Sequence, residues 1–122
     1  MNLIWIIIGG SLGALLRYGT TLLSVRVFGT AFPYGTLIVN LAGCLLIGTV
    51  MGLAERGSFV TPAFRLFFVT GFLGALTTFS TYAWESMSAI RGASLGMAFL
   101  NIALNNIAGL GLVLVGFWMV KH

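Results

Sequence analysis

Four long apolar runs leave this chain few folds to choose from. A run of about 20 apolar residues crosses a bilayer as a helix, because only a helix satisfies its own backbone in hydrocarbon. The runs lie at about 3–23, 34–54, 63–90 and 95–120, and they use nearly the whole length of 122 residues. Short polar stretches separate them. Ser24 to Phe32 ends at Pro33; Glu55-Arg56-Gly57-Ser58 and Arg91-Gly92-Ala93-Ser94 form the other two. Pro62 suits the first turn of the third helix, where a missing N–H costs nothing. Only 7% of the residues are charged, against about 25% in soluble domains, so no solvated surface can be built. The expected fold is therefore an all-α membrane protein, a single domain over residues 1–122 with four transmembrane helices. The first run lacks a basic leader and a small-residue cleavage site, so it reads as a retained helix and not a signal peptide.

The third run is interrupted. Gly71-Phe72-Leu73-Gly74-Ala75-Leu76-Thr77-Thr78-Phe79-Ser80-Thr81-Tyr82 places two glycines and four serine or threonine hydroxyls at membrane depth. Such residues are tolerated there only when they face protein or a cavity. The spacing predicts a helix break near residues 74–78. In a broken membrane helix the freed carbonyls commonly coordinate a cation. Gly74 to Thr77 is the stretch expected to unwind, and a cation such as sodium suits ligation by oxygen alone.

Charge gives no fixed orientation. With four spans, Arg56, Arg65 and Lys121 share one side, and Arg17, Arg26 and Arg91 the other. Orientation normally follows the excess of Lys and Arg, and three against three is no excess. The chain is therefore expected to insert both ways round and to pair as an antiparallel, dual-topology homodimer in the lipid bilayer. The two breaks would then meet near the midplane, with carbonyls of both copies around one site. Gly9 with Gly13, Gly48 with Gly52 and Gly92 with Gly96 fit the spacing of small residues that lets membrane helices approach closely. Together they suggest tight packing, including a subunit interface. The bases are scattered, which argues against a nucleic-acid surface.

Several polar residues lie inside the spans and need a partner or water. Asn40, in the second run, offers both a donor and an acceptor. Asn101 and Asn105 share a face of the fourth helix, with Asn106 beside them. Glu85 follows the break, and an intramembrane carboxylate is a functional residue by default. Arg17 can snorkel toward the interface or draw anions into a vestibule. Phe79 and Tyr82 fall on one helical face, where positive ring edges can hold a small anion. The hydroxyls of Thr78, Ser80 and Thr81 can replace its lost water. Cys44 is the only cysteine, which excludes an internal disulfide. His122 is the only histidine, neither Cys44 nor any serine has a plausible histidine partner, and no phosphate loop is present, so an enzyme is not expected.

These residues together resemble the Fluc/CrcB family of bacterial fluoride channels. The resemblance covers essentially the whole chain. Gly9-Gly10, Gly13-Ala14 and Arg17-Tyr18 carry it on the first helix, and Gly35-Thr36-Leu37, Val39-Asn40 and Gly43 on the second. On the third it rests on Gly71-Phe72-Leu73-Gly74 and Thr77-Thr78-Phe79-Ser80-Thr81, with Glu85 beyond. It implies a dual-topology homodimer with two fluoride pores and a central structural sodium ion held by backbone oxygens of Gly74 and Thr77. Asn40 would lie on the permeation path, with Phe79 and Tyr82 in the pore-facing aromatic box. Phenylalanine is usual at the second box position, so Tyr82 departs from the pattern. Its hydroxyl would be an extra donor or would narrow the pore. The polar residues Asn101 and Asn105 carry over to the fourth helix.

The implied role is passive fluoride efflux across the bacterial cell membrane, which lowers cytoplasmic fluoride and its toxicity. Hydrogen fluoride enters neutral and dissociates inside. An inside-negative potential then drives the anion out with about 2.3 kcal/mol per charge per 100 mV. The alternative class is a small proton-coupled, dual-topology multidrug exporter. That class relies on a carboxylate in its first helix, and this first run contains no acid.

Overall fold

The computed structural model describes residues 2–57 and 59–122, so that Ser58, the end of the expected second loop, lies outside them. Every regular element among the described residues is helical, and four helices are long and apolar enough to cross a membrane. We call them α1 (Asn2–Phe28), α2 (Tyr34–Glu55), α3 (Pro62–Arg91) and α4 (Leu95–Met119).

The helix α1 runs past its expected end at Leu23 to Phe28. Ser24 does not stop it, because its side chain is buried against the protein instead of facing lipid. Arg26 sits in the last turn, where a cation complements the helix dipole. The stop comes at Gly29, whose φ of +78° no β-carbon-bearing residue adopts cheaply. Its amide donates to the Val25 carbonyl at 3.0 Å, closing the helix with a left-handed cap.

The start of α3 is as its sequence suggests. Thr61 accepts a hydrogen bond from the Phe64 amide at 3.2 Å, and Pro62 occupies the first turn. From Arg65 to Leu73 the helix winds with wide, π-type turns. The break is narrower than residues 74–78: Gly74–Leu76 remain helical. Leu73 and Leu76 are both in the core with Val39, and this packing holds the turn between them. Only Thr77 and Thr78 are extended, at ψ 156° and 117°. The helix resumes over Phe79–Arg91. A second π-type stretch, Leu104–Ala108, interrupts α4. Neither wide turn is predicted from the apolar pattern.

Helix α1 packs on the first half of α3, α2 on the second half of α4, and the second half of α3 on the start of α4. Glycines make the first two contacts possible. A β-carbon on Gly9 would sit 2.0 Å from the Phe67 carbonyl oxygen, and one on Gly13 2.2 Å from that of Phe72. On Gly48 it would lie 2.1 Å from the Val113 oxygen. Two of the three expected small-residue pairs therefore serve helix packing within one protomer. The third does not. Gly96 meets nothing within 4 Å, and Gly92 meets only atoms of its own turn, because the pair sits at the short connection between α3 and α4.

The apolar core is small, and Asn101, at 1% exposure, is the most deeply buried large side chain. Most Leu, Ile and Phe side chains of the spans point outward, as lipid or a second copy requires. The Arg56 guanidinium donates to the Val120 carbonyl, which fixes the α2–α3 loop and the end of α4 on one side.

Candidate functional site

Asn40 organises the break. Its Oδ1 accepts from the Thr78 amide at 2.8 Å, and its Nδ2 donates to the Thr78 carbonyl at 3.1 Å. A continuing helix would give the Thr78 N–H to the Gly74 carbonyl. Diverted to Asn40, it releases that oxygen from helical pairing. The Thr78 hydroxyl then caps the second half of α3 by accepting from the Thr81 amide at 3.2 Å. It also donates to the Thr81 hydroxyl at 3.1 Å. One amide side chain from α2 thus holds an extended residue whose own side chain starts the next helix.

The polar contacts continue into α4. Asn40 Nδ2 donates to Asn105 Oδ1 at 2.9 Å, and Asn105 Nδ2 donates to both the carbonyl and the Oδ1 of Asn101 at 2.9 Å. Asn101 Nδ2 donates to the Ser86 hydroxyl at 3.0 Å, and Ser86 donates to the Tyr82 carbonyl at 2.9 Å. Asn101 and Asn105 share a face as expected, and the structure joins them to Asn40.

Two cavities flank this chain of contacts. The first, of about 420 Å³, is lined by Asn40, Thr77, Thr78, Phe79, Tyr82, Asn105 and Asn106, with Cys44 and Gly74 on its wall. The rings of Phe79 and Tyr82 meet edge to face, with centroids 5.3 Å apart. Tyr82 is buried, whereas Phe79 is exposed on the protomer surface. The second cavity, of about 450 Å³, opens among the end of α1, the start of α2 and the α3–α4 connection. Thr21, Ser24, Thr36, Glu85, Ser88 and Asn101 give it a polar lining. Within it the Thr36 hydroxyl donates to Glu85 Oε1 at 2.7 Å. Glu85 Oε2 is buried without a protein partner among the described residues.

Not every expected residue joins the site. Arg17 lines neither cavity, and its side chain makes no hydrogen bond among the described residues. Ser80 is exposed and lines neither cavity, and Thr81 reaches the site only through Thr78. Glu85 belongs with the second cavity and not with the aromatic pair. Thr36 and Ser86 lie outside the residues expected at the site. Spacing carried a signal for both: Thr36 is four residues before Asn40, and Ser86 four after Tyr82.

The family model for the CrcB-like proteins (Camphor Resistance, CrcB) matches residues 4–117. The chain belongs to the CrcB-like family. The "Fluoride-specific ion channel FluC" of Shewanella amazonensis is 44% identical, over 94% of this chain and 92% of its own length. Proteins of the same name from Geobacter sp. strain M21 and Salinibacter ruber are 41% and 44% identical, covering 98% and 95% of this chain and 97% and 86% of their own. With its four spans, this CrcB-like chain is a multi-pass membrane protein. Its relatives are named as channels, not as enzymes or exporters.

Proposed function

We propose that this chain is a fluoride-selective channel that lets fluoride leave the cell down its electrochemical gradient. The observation that carries the reading is the mid-span break at Thr77 and Thr78, pinned by Asn40 and opening on a cavity edged by Phe79 and Tyr82. A small, strongly hydrated anion needs close donors in a narrow site, and several weak sites in series let it exit quickly. At the first cavity Asn40, Thr78 and Asn105 form a polar wall whose N–H and O–H groups are tied into its own hydrogen bonds, and the positive ring edges of Phe79 and Tyr82 are left for the anion. Asn101, Glu85 and Thr36 continue the polar lining toward one membrane face, with the hydroxyls of Ser80 and Thr81 at the break. Arg17 acts outside the cavities, as a positioning or vestibule residue.

The break also suits two ions of opposite sign. Its first half ends in carbonyls, the negative end of a helix dipole, and its second half begins with amides, the positive end. Gly74 is exposed in the single protomer, on the wall of the first cavity. The chemistry of this stretch fits a sodium ion held by the backbone oxygens of Gly74 and Thr77. A bound sodium ion would offset the repulsion between carbonyl ends brought together by two copies. No cluster of acidic, histidine or cysteine side chains competes for a metal among the described residues.

The channel is an antiparallel homodimer in this reading, supported by the balanced charges and the large apolar surface left on each protomer. Reporter fusions at the C-terminus should give signal from both sides of the membrane; signal from one side only defeats dual topology. For the function itself, purified protein in liposomes should release fluoride down its gradient, with chloride far slower. Proton-driven drug exchange without fluoride flux would overturn the channel.

A further inference from the structure

The geometry points to Tyr82 as a directed hydrogen-bond donor to the permeating anion, with Asn106 as the residue that aims it. This deepens the fluoride reading and rests on it.

The Asn106 Nδ2 lies 2.8 Å from the Ile102 carbonyl and 2.9 Å from the Tyr82 hydroxyl oxygen. A carbonyl only accepts, so the group facing Ile102 must be the NH2 end of the amide. The orientation of Asn106 is thereby fixed by the backbone. Its second N–H then points at the phenol oxygen, which can only accept from it. An amide nitrogen accepts nothing, so the phenol proton cannot be returned to Asn106. It is given to no protein group among the described residues. Tyr82 is buried, its ring edge to face with Phe79, and both Tyr82 and Asn106, the partner of its hydroxyl, line the first cavity with Asn40 and Thr78. The phenol proton therefore has the cavity to point into.

The wide turn over Leu104–Ala108 contributes to this arrangement. Asn105 and Asn106 are adjacent in sequence, yet both line the same cavity. Asn105 serves the contacts to Asn40 and Asn101, while Asn106 serves Tyr82. A donated O–H to an anion is short and strong, which favours the smaller ion. A phenylalanine at residue 82 offers only its ring edge.

Fluoride and chloride efflux from liposomes test this in four forms of the full chain. The wild type sets the reference; if it conducts no fluoride, the function proposed above fails before this one is reached. Tyr82→Phe should lower fluoride efflux about tenfold, the scale of one hydrogen bond to a charged group, and narrow the gap to chloride. Asn106→Leu should lower it less, because the hydroxyl remains but is no longer aimed. On top of Tyr82→Phe, Asn106→Leu should cost nothing more. Wild-type fluoride flux in Tyr82→Phe overturns the donor. An Asn106→Leu loss that persists undiminished on top of Tyr82→Phe overturns the aiming role and makes Asn106 a packing residue. Elution of each variant at the wild-type volume in detergent establishes that the fluxes compare folded proteins.

Discussion

Asn40→Asp should reduce fluoride efflux by at least about tenfold. The carboxylate can still accept from the Thr78 amide, the 2.8 Å bond of Asn40 Oδ1. It cannot donate, so the bonds to the Thr78 carbonyl and to Asn105 Oδ1 become contacts between acceptors. It also sets a negative charge on the wall of the first cavity. Two unit charges at about 4 Å repel by about 4 kcal/mol at an effective dielectric of about 20, more than the 1.4 kcal/mol of a tenfold change. Asn40→Leu separates the two effects. It adds no charge but leaves the Thr78 amide and carbonyl unpaired, at about 1–3 kcal/mol per buried group. Its flux should fall together with its thermal stability, whereas in Asn40→Asp the flux should fall further than stability explains. Unchanged efflux in Asn40→Asp would mean that Asn40 only ties α2 to α3.

Gly9→Leu should abolish the folded protein. A β-carbon alone would lie 2.0 Å from the Phe67 carbonyl oxygen and 2.9 Å from the Phe72 amide nitrogen. Both atoms are backbone and belong to packed turns of α3, so neither can swing aside as a side-chain tip would. The helices must part, and α1 then loses its contact with the first half of α3. Overpacking of an ordinary core costs about 1–3 kcal/mol, and a backbone clash lies at or beyond the top of that range. Size-exclusion chromatography in mild detergent should show aggregate or no protein. Gly96→Ala is the control, since nothing lies within 4 Å of the added carbon. It should elute like the wild type. Failure of Gly96→Ala with survival of Gly9→Leu would reverse the assignment of which glycines pack.

The four spans were legible because lipid leaves only one way to hide a backbone, and long apolar runs announce it. Helix ends were less so. Ser24 looked like the start of a loop because composition does not reveal which side of a helix a residue faces, and its burial lets α1 continue. The interruption of α3 was visible in its threonines and glycines, but the glycines misplaced it. Gly74 stays helical, since packing of Leu73 and Leu76 outweighs its freedom. The π-type turns were not legible at all, because an i→i+5 turn needs no residue type of its own. At the site, the need of Asn40 for a partner was readable from its depth. That the partner is the backbone of Thr78 is a tertiary fact, and so is the joining of Asn101 and Asn105 to it.

The asparagine contacts have a direction. The Asn101 backbone carbonyl can only accept, so it turns the Nδ2 of Asn105 toward itself. The Oδ1 of Asn105 must then face Asn40, which must present its nitrogen there and its oxygen to the Thr78 amide. Each later donor follows suit, through Asn101 and Ser86 to the Tyr82 carbonyl. The result is a row of amide and hydroxyl dipoles aligned head to tail, beginning and ending on the same stretch of α3. Aligned bonds polarise one another, so each is stronger in the row than alone. Truncating any one member weakens those that remain, and paired truncations should cost less than the sum of the single ones. The row behaves as one polar element with a sense along α4, and in an antiparallel pair that sense would run oppositely in the two copies.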